Sequence, residues 1–167
     1  MNKIVEILET YSSKVLLDED GNQLTIEKSE AITVGDLQRF ELYHGIILPP
    51  DLRKLLMFSN GINVFGVRVQ ALNEMKFYDS QMLLTFHDWG NGDFDCISVN
   101  SRSYYGSVYF INHSIAKNIS MAITISEWIS LCINEIQKKG TVLHPMDYLF
   151  RHEDGMYKEV FLKLKMK

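Results

Sequence analysis

The sequence predicts an α+β fold, and three observations carry that prediction. Apolar residues at helical spacing run through two short stretches between Thr33 and Gly61. After Asn60-Gly61 the pattern changes to period two and recurs in successive strands with no helix between them. One long amphipathic helix then begins behind a capping box at Thr124. Strands that follow one another directly pair antiparallel. The expected architecture is a twisted, mainly antiparallel sheet of about four to six strands with helices packed on one side.

At 167 residues and 19.4 kDa, the chain is expected to form one domain spanning 1–167. Surface scaling at this size gives burial of roughly 70% of the extended-chain area, enough for a real core. Hydrophobic content of 46% and charged content of 23% are ordinary for a globular protein. A net charge of −4 and a pI of about 5.7 argue against a nucleic-acid surface, which shows as a basic patch, and permit a basic protein partner. Cys96 and Cys132 lack CxxC spacing and read as buried reduced thiols. Acidic residues interrupt the apolar N-terminal run, so it does not read as a signal peptide. No run of about 18 apolar residues exists, so no membrane span is expected and the expected location is cytoplasmic.

Ile4, Ile7, Leu8 and Tyr11 share one face of a helix over 3–11. Val15–Leu17 and Leu24–Ile26 flank Asp20-Gly21, a tight-turn dipeptide, and predict a small hairpin with a solvated acidic tip. Thr33 and Asp36 resemble a capping box with the shorter acid, and the helix behind them buries Leu37 and Phe40 and ends at Gly45. A second helix opens at Pro50, whose missing N–H costs nothing at the first helical position. Asp51 complements its dipole, Leu52, Leu55 and Leu56 form its apolar face, and Gly61 is expected as its left-handed stop.

Residues 64–71 alternate as one strand, with Phe65, Val67, Val69 and Ala71 opposite Val64, Gly66, Arg68 and Gln70. Residues 82–88, 93–99 and 107–113 are further strands, the first two joined through Trp89-Gly90-Asn91-Gly92. Behind Thr124 and Glu127, a broad stripe of Ile125, Trp128, Ile129, Cys132, Ile133 and Ile136 runs to Gly140. A last helix is expected from about residue 155, with a strand as the alternative.

The densest chemistry lies in His87-Asp88-Trp89-Gly90-Asn91-Gly92-Asp93-Phe94-Asp95-Cys96. A metal site would use His87, Asp88, Asp93 and Asp95. Their spacing fits neither an EF-hand loop nor a zinc pattern, and side chains on a hairpin alternate between faces. The other readings are a polar hairpin end and an acidic edge that meets a protein. His44, His113, His144 and His152 are scattered and read as surface or packing residues. No G-x-S-x-G elbow, P-loop or dinucleotide fingerprint is present. Gly90-Asn91-Gly92 is followed by a strand, so it lacks the helix end that would bind phosphate. No catalytic residue, metal or cofactor is assigned. Trp89, Tyr104 and Tyr105 are candidate interface aromatics.

The run Gly45-Ile46-x-Leu48-Pro49-x-Asp51-Leu52-x-x-Leu55-Leu56-x-x-Ser59-Asn60-Gly61 resembles the signature of the SUKH superfamily, which includes the fungal Smi/Knr cell-wall assembly regulators. Three later features follow in the matching order: a strand ending in a Gly/Asp hairpin over 86–96, Val108 to His113, and Ser126-Glu127-Trp128. The resemblance spans about residues 34–138. Asn112-His113 departs from the Asp-His of many members.

The resemblance implies the same α+β fold. It implies a non-enzymatic binding role, either a bacterial immunity protein that neutralises a toxin or a regulatory scaffold protein. It implies structural duties for Leu48, Pro49, Asp51, Asn60, Gly61 and Trp128. Under the immunity reading, Asp88, Trp89, Asp93, Asp95, Tyr104 and Tyr105 are the expected contacts, on a sheet face or edge away from the helices. An acidic excess would steer a basic toxin toward them.

Overall fold

The computed structural model describes residues 3–78, 82–101, 104–114, 118–142 and 144–146. Helix α1 (Lys3–Tyr11) buries Ile4 and Leu8 completely. Strands β1 (Leu16–Leu17) and β2 (Gln23–Leu24) pair as the expected small hairpin. Its tip is an Asx turn: Asp18 Oδ1 accepts from the backbone N–H of Asp20 at 2.9 Å and of Asn22 at 2.7 Å.

Strand β3 (Ile26–Lys28) was not legible in the sequence. Helix α2 (Val34–His44) is capped by Thr33, whose hydroxyl accepts from Asp36 N–H at 3.1 Å, and ends at Gly45. Leu37 is buried, while Phe40 is only half-buried and stacks on His44. Helix α3 (Pro50–Phe58) opens with Pro50 and buries Leu52, Leu55 and Leu56. Its stop differs from expectation. Ser59 ends it in an extended conformation, φ −160° and ψ 121°, and Gly61 makes the following turn. The Ser59 hydroxyl donates to Gly61 O at 2.6 Å and accepts from Ser29 N–H at 2.9 Å, which pulls the chain out of the helix.

The single strand expected over 64–71 is instead a tight hairpin of β4 (Ile62–Val64) and β5 (Val67–Val69). Phe65 and Gly66 both adopt positive φ, 54° and 91°, as a two-residue hairpin turn demands. Asn63 Oδ1 accepts from Gly66 N–H at 2.7 Å, and Phe65 is held down against Tyr11, ring centroids 6.3 Å apart. Strand β3 pairs with β4, completing a three-stranded antiparallel sheet.

The main sheet has five antiparallel strands in the order β10-β9-β8-β7-β6. They are β6 (Phe77–Tyr78), β7 (Leu83–Asp88), β8 (Phe94–Ser98), β9 (Ser107–Ile111) and β10 (Asn118–Thr124). Strands β6 and β10 are additions to the sequence reading. Gln70 N–H donates to Phe86 O at 2.8 Å and joins the two sheets beside β7.

Helix α4 (Ile125–Lys139) begins with the expected capping box: Thr124 accepts from Glu127 N–H and Glu127 reaches back to Thr124 N–H. Helices α1, α3 and α4 touch one another, and buried residues of all four helices share one core with the inner face of the main sheet. Trp128 lies at its centre, fully buried and edge-on to Phe86 at 5.0 Å. The outer face carries a separate apolar cluster of Leu83, Cys96 and Ile111, flanked by Tyr78, Phe94 and Tyr109. The helix expected from about residue 155 lies outside the described residues.

Candidate functional site

Strand pairing decides where the polar hairpin residues point. A bulge in β7 lies between Thr85 and His87, where the register against β8 shifts. Strand residues normally alternate faces, but the extra residue puts Phe86 and His87 on the same, inner face. Both rings meet Trp128, that of His87 at 5.3 Å. Asp95 lies opposite His87 on the same inner face and is completely buried. Asp95 Oδ2 accepts from the Trp89 indole N–H at 3.0 Å, which fixes the Trp89 ring across the edge of His87.

Asp93 is also buried, 1% exposed, and its carboxylate is saturated. Oδ1 accepts from the backbone N–H of His113 at 2.8 Å and from its Nδ1 at 2.7 Å. Oδ2 accepts from Asn112 Nδ2 at 2.9 Å, His144 Nε2 at 3.0 Å and Asn91 Nδ2 at 3.3 Å. His144 Nδ1 accepts from Met146 N–H at 3.1 Å, so Nε2 carries the proton that Asp93 receives. Burial raises the pKa of Asp93, but the His113, His144 and Asn112 contacts outweigh it and hold the carboxyl below its usual range. The aspartate thereby ties the hairpin tip to the end of β9 and to the segment after α4.

The expectation that Asp93 and Asp95 form an acidic edge for a partner therefore does not hold for their side chains. Both carboxylates are spent on internal donors. Asp88 and Trp89 remain at the surface, Asp88 exposed and Trp89 half-buried. Tyr104 and Tyr105 are exposed, but they lie at the other end of β8, where Gly106 N–H donates to Ser98 O at 2.8 Å. Five strand residues separate the two ends by roughly 16 Å. The six expected contacts do not form one surface.

The surface around the tyrosines contains residues that the sequence reading missed. Tyr105 OH donates to Ile47 O at 3.1 Å, and Ile47 shares an open cleft with Leu42, Met82 and Val99. Leu42 is 86% exposed, Tyr43 85%, Tyr104 68% and Ile47 66%. Leu42 and Ile47 line the same cleft and Tyr105 bonds to Ile47 O, so these exposed apolar side chains adjoin one another. Their helical periodicity gave one signal: Leu42 and Tyr43 fall on the face of α2 opposite the buried Leu37 side.

The motif residues hold the scaffold together around these surfaces. Leu48 and Pro49 are buried, and Gly106 approaches the Pro49 ring. Asp51 Oδ2 accepts from the Ser126 hydroxyl at 2.8 Å, tying the start of α3 to the start of α4. Asn60 Oδ1 accepts from Leu72 N–H at 2.8 Å. Among the described residues, no group of three or more His, Cys, Asp and Glu side chains is placed to hold a metal ion. None of the described helices is long and apolar enough to cross a membrane.

A family profile, that of the SMI1 / KNR4 family (SUKH-1), matches residues 31–131. The chain belongs to this family. The SUKH-1 match begins just before α2 and ends within α4, so it contains the helix pair, the main sheet and Asp93 with its Asn91, Asn112 and His113 partners, but not His144. Comparison with curated proteins and with solved structures gave no match.

Proposed function

We propose that this SUKH-1 chain is a non-enzymatic, cytoplasmic binding protein that neutralises a protein toxin by covering it. The observation that carries the proposal is the exposed apolar pair Leu42 and Ile47 on one cleft, with Tyr105 bonded to Ile47 O beside them. Tyrosine is among the residue types that carry most binding energy at protein interfaces, and adjoining exposed aliphatic residues supply apolar area to bury. The polar residues that could have served catalysis are committed elsewhere: Asp93 and Asp95 stabilise the fold through internal hydrogen bonds. The net charge of −4 favours encounter with a basic partner.

Co-expression with candidate toxins encoded near this gene, followed by pull-down and a growth assay, tests the proposal. The wild-type chain is expected to capture the toxin and restore growth. Leu42→Asp and Ile47→Asp, at positions with no core role, are expected to weaken capture by about tenfold or more. Failure of the wild-type chain to bind any neighbouring toxin, or full binding by both variants, would sink it.

A further inference from the structure

The main sheet is buried on both faces, and the helices account for only one of them. Its inner face shares a core with all four helices. Outward-facing residues of β7, β8 and β9 are buried as well: Leu83 is 3% exposed, Cys96 0%, Ser98 3% and Ile111 1%. An antiparallel sheet with one face in water shows polar, exposed residues there. This face carries Leu83, Phe94, Cys96, Tyr109 and Ile111 instead.

Among the described residues, the apolar side chains packed against the outer cluster are Tyr78, Phe94 and Tyr109, and all three stand on the sheet itself. Strand side chains rise roughly perpendicular to the sheet, so neighbours flank one another and do not form a roof. Burial this complete needs a segment lying across them. The stretches 79–81, 102–103 and 115–117, outside the described residues, have at most three residues each. They are too short to cross three strands and return.

The segment after Met146 runs from 147 to 167 and is long enough. It also starts in a suitable place. His144 Nε2 donates to Asp93 Oδ2 at 3.0 Å, so the chain enters this segment from the hairpin end of β7 and β8. Cys96 lies farther along β8 from Asp93, roughly 10 Å away. An extended segment of this length reaches roughly 70 Å, enough to round the hairpin and cross the face. Its sequence suits an apolar surface. Val160, Leu162, Leu164 and Met166 alternate with Phe161, Lys163, Lys165 and Lys167, which gives one apolar side and one side rich in lysine.

We propose that residues 147–167 fold back across the outer face of the main sheet as a strap of the same chain and seal the Leu83, Cys96 and Ile111 cluster from water. The strap closes this face to any partner and leaves the Leu42–Ile47 side for one. The inference stands apart from the toxin proposal, because it concerns a contact within one chain.

A spin label on the full-length chain tests it. Lys163→Cys, on the lysine side of the segment, carries the label in ¹⁵N-labelled protein. The amide signals of Cys96, Tyr109 and Ile111 are expected to lose most of their intensity, while those of α1 and the β4–β5 turn keep theirs. Unchanged outer-face signals would overturn the proposal. So would broadening that appears when spin-labelled chains without ¹⁵N are mixed with ¹⁵N chains lacking the label, since that gives the face to a second copy. A second variant reads the seal itself. Leu162→Asp with Leu164→Asp, in the full-length chain, is expected to speed reaction of Cys96 with an aromatic disulfide reagent about tenfold or more, while Cys132 stays protected. Cys96 as protected as in the wild type would show that something else covers it and would overturn the strap. Equal acceleration of Cys132 would show loss of the whole fold and not of one cover, and would count against it.

Discussion

Asp93 and His87 are both buried ionisable groups, and they respond to acid in different pH windows. Asp93 has a folded pKa below its ordinary value of 3.8. Its stabilisation is fully present above that value and is lost as pH falls through the lower, folded pKa. Asp93→Asn removes charge-assisted acceptors from buried donors and is expected to cost about 2–3 kcal/mol at neutral pH. Urea unfolding at pH 7 measures this.

His87 is the opposite kind of base. Burial dominates and lowers its pKa below 6.5; the neighbouring His144 lowers it further, while the Arg68 carbonyl and Asp88 raise it. Below 6.5 the unfolded chain takes up a proton that the folded chain refuses, so stability falls with pH between the ordinary and the folded value. His87→Asn can keep the donor to Arg68 O without the titration. It is expected to flatten the stability profile below about pH 6.5, as urea midpoints at each pH would show. Neither residue's role was legible in advance. The Asp93 donors come from His113 and His144, 20 and 51 residues away, and only chain folding brings them together.

Among the elements, helix α4 was the most legible and its end holds the least tolerance. The α4 capping box, apolar stripe and Gly140 stop are local features that survive any tertiary context. What Gly140 faces is not local. A Cβ there would sit 2.6 Å from the Asp18 carbonyl carbon and 2.7 Å from Glu19 N, at φ 73°. Gly140→Ala combines left-handed strain with a backbone clash, and is expected to cost about 2–4 kcal/mol and to loosen the β1–β2 hairpin. Gly21→Ala is the control: φ is 82°, but nothing lies within 4 Å of its Cβ. It should cost about 1–2 kcal/mol, the strain alone. Thermal melts of the pair would separate strain from clash.

The short strands show why the rest of the pattern was ambiguous. Strands β3 and β6 have three and two residues, too few for a period to appear. The alternation over 64–71 was real, yet Phe65-Gly66 reverses the chain within it. Phe65 gives no turn signal, because it takes positive φ only where Tyr11 and the core hold its ring.

Across the whole molecule, the sheet separates two apolar environments, and the two cysteines sample one each. Cys132 lies in the main core under α4, and Cys96 in the outer-face cluster with Leu83 and Ile111. Burial pushes both thiols up, so neither forms the reactive thiolate at neutral pH. Both are expected to resist an aromatic disulfide reagent in native buffer and to react together as urea unfolds the chain. Early reaction of Cys96 alone would show that the outer face opens before the core.

The chain by itself determined what depends on neighbours in sequence. Helices α1 to α4, the caps of α2 and α4, the β7–β8 turn and family membership rest on spacing and residue type within short windows. Tertiary structure decided what depends on partners far along the chain. It turned Asp93 and Asp95 inward, placed Tyr104 and Tyr105 at the far end of the sheet, and exposed Leu42 and Ile47 beside them. The physical reason is that a carboxylate's fate depends on which donors surround it, and strand pairing, with one bulge in β7, sets that company.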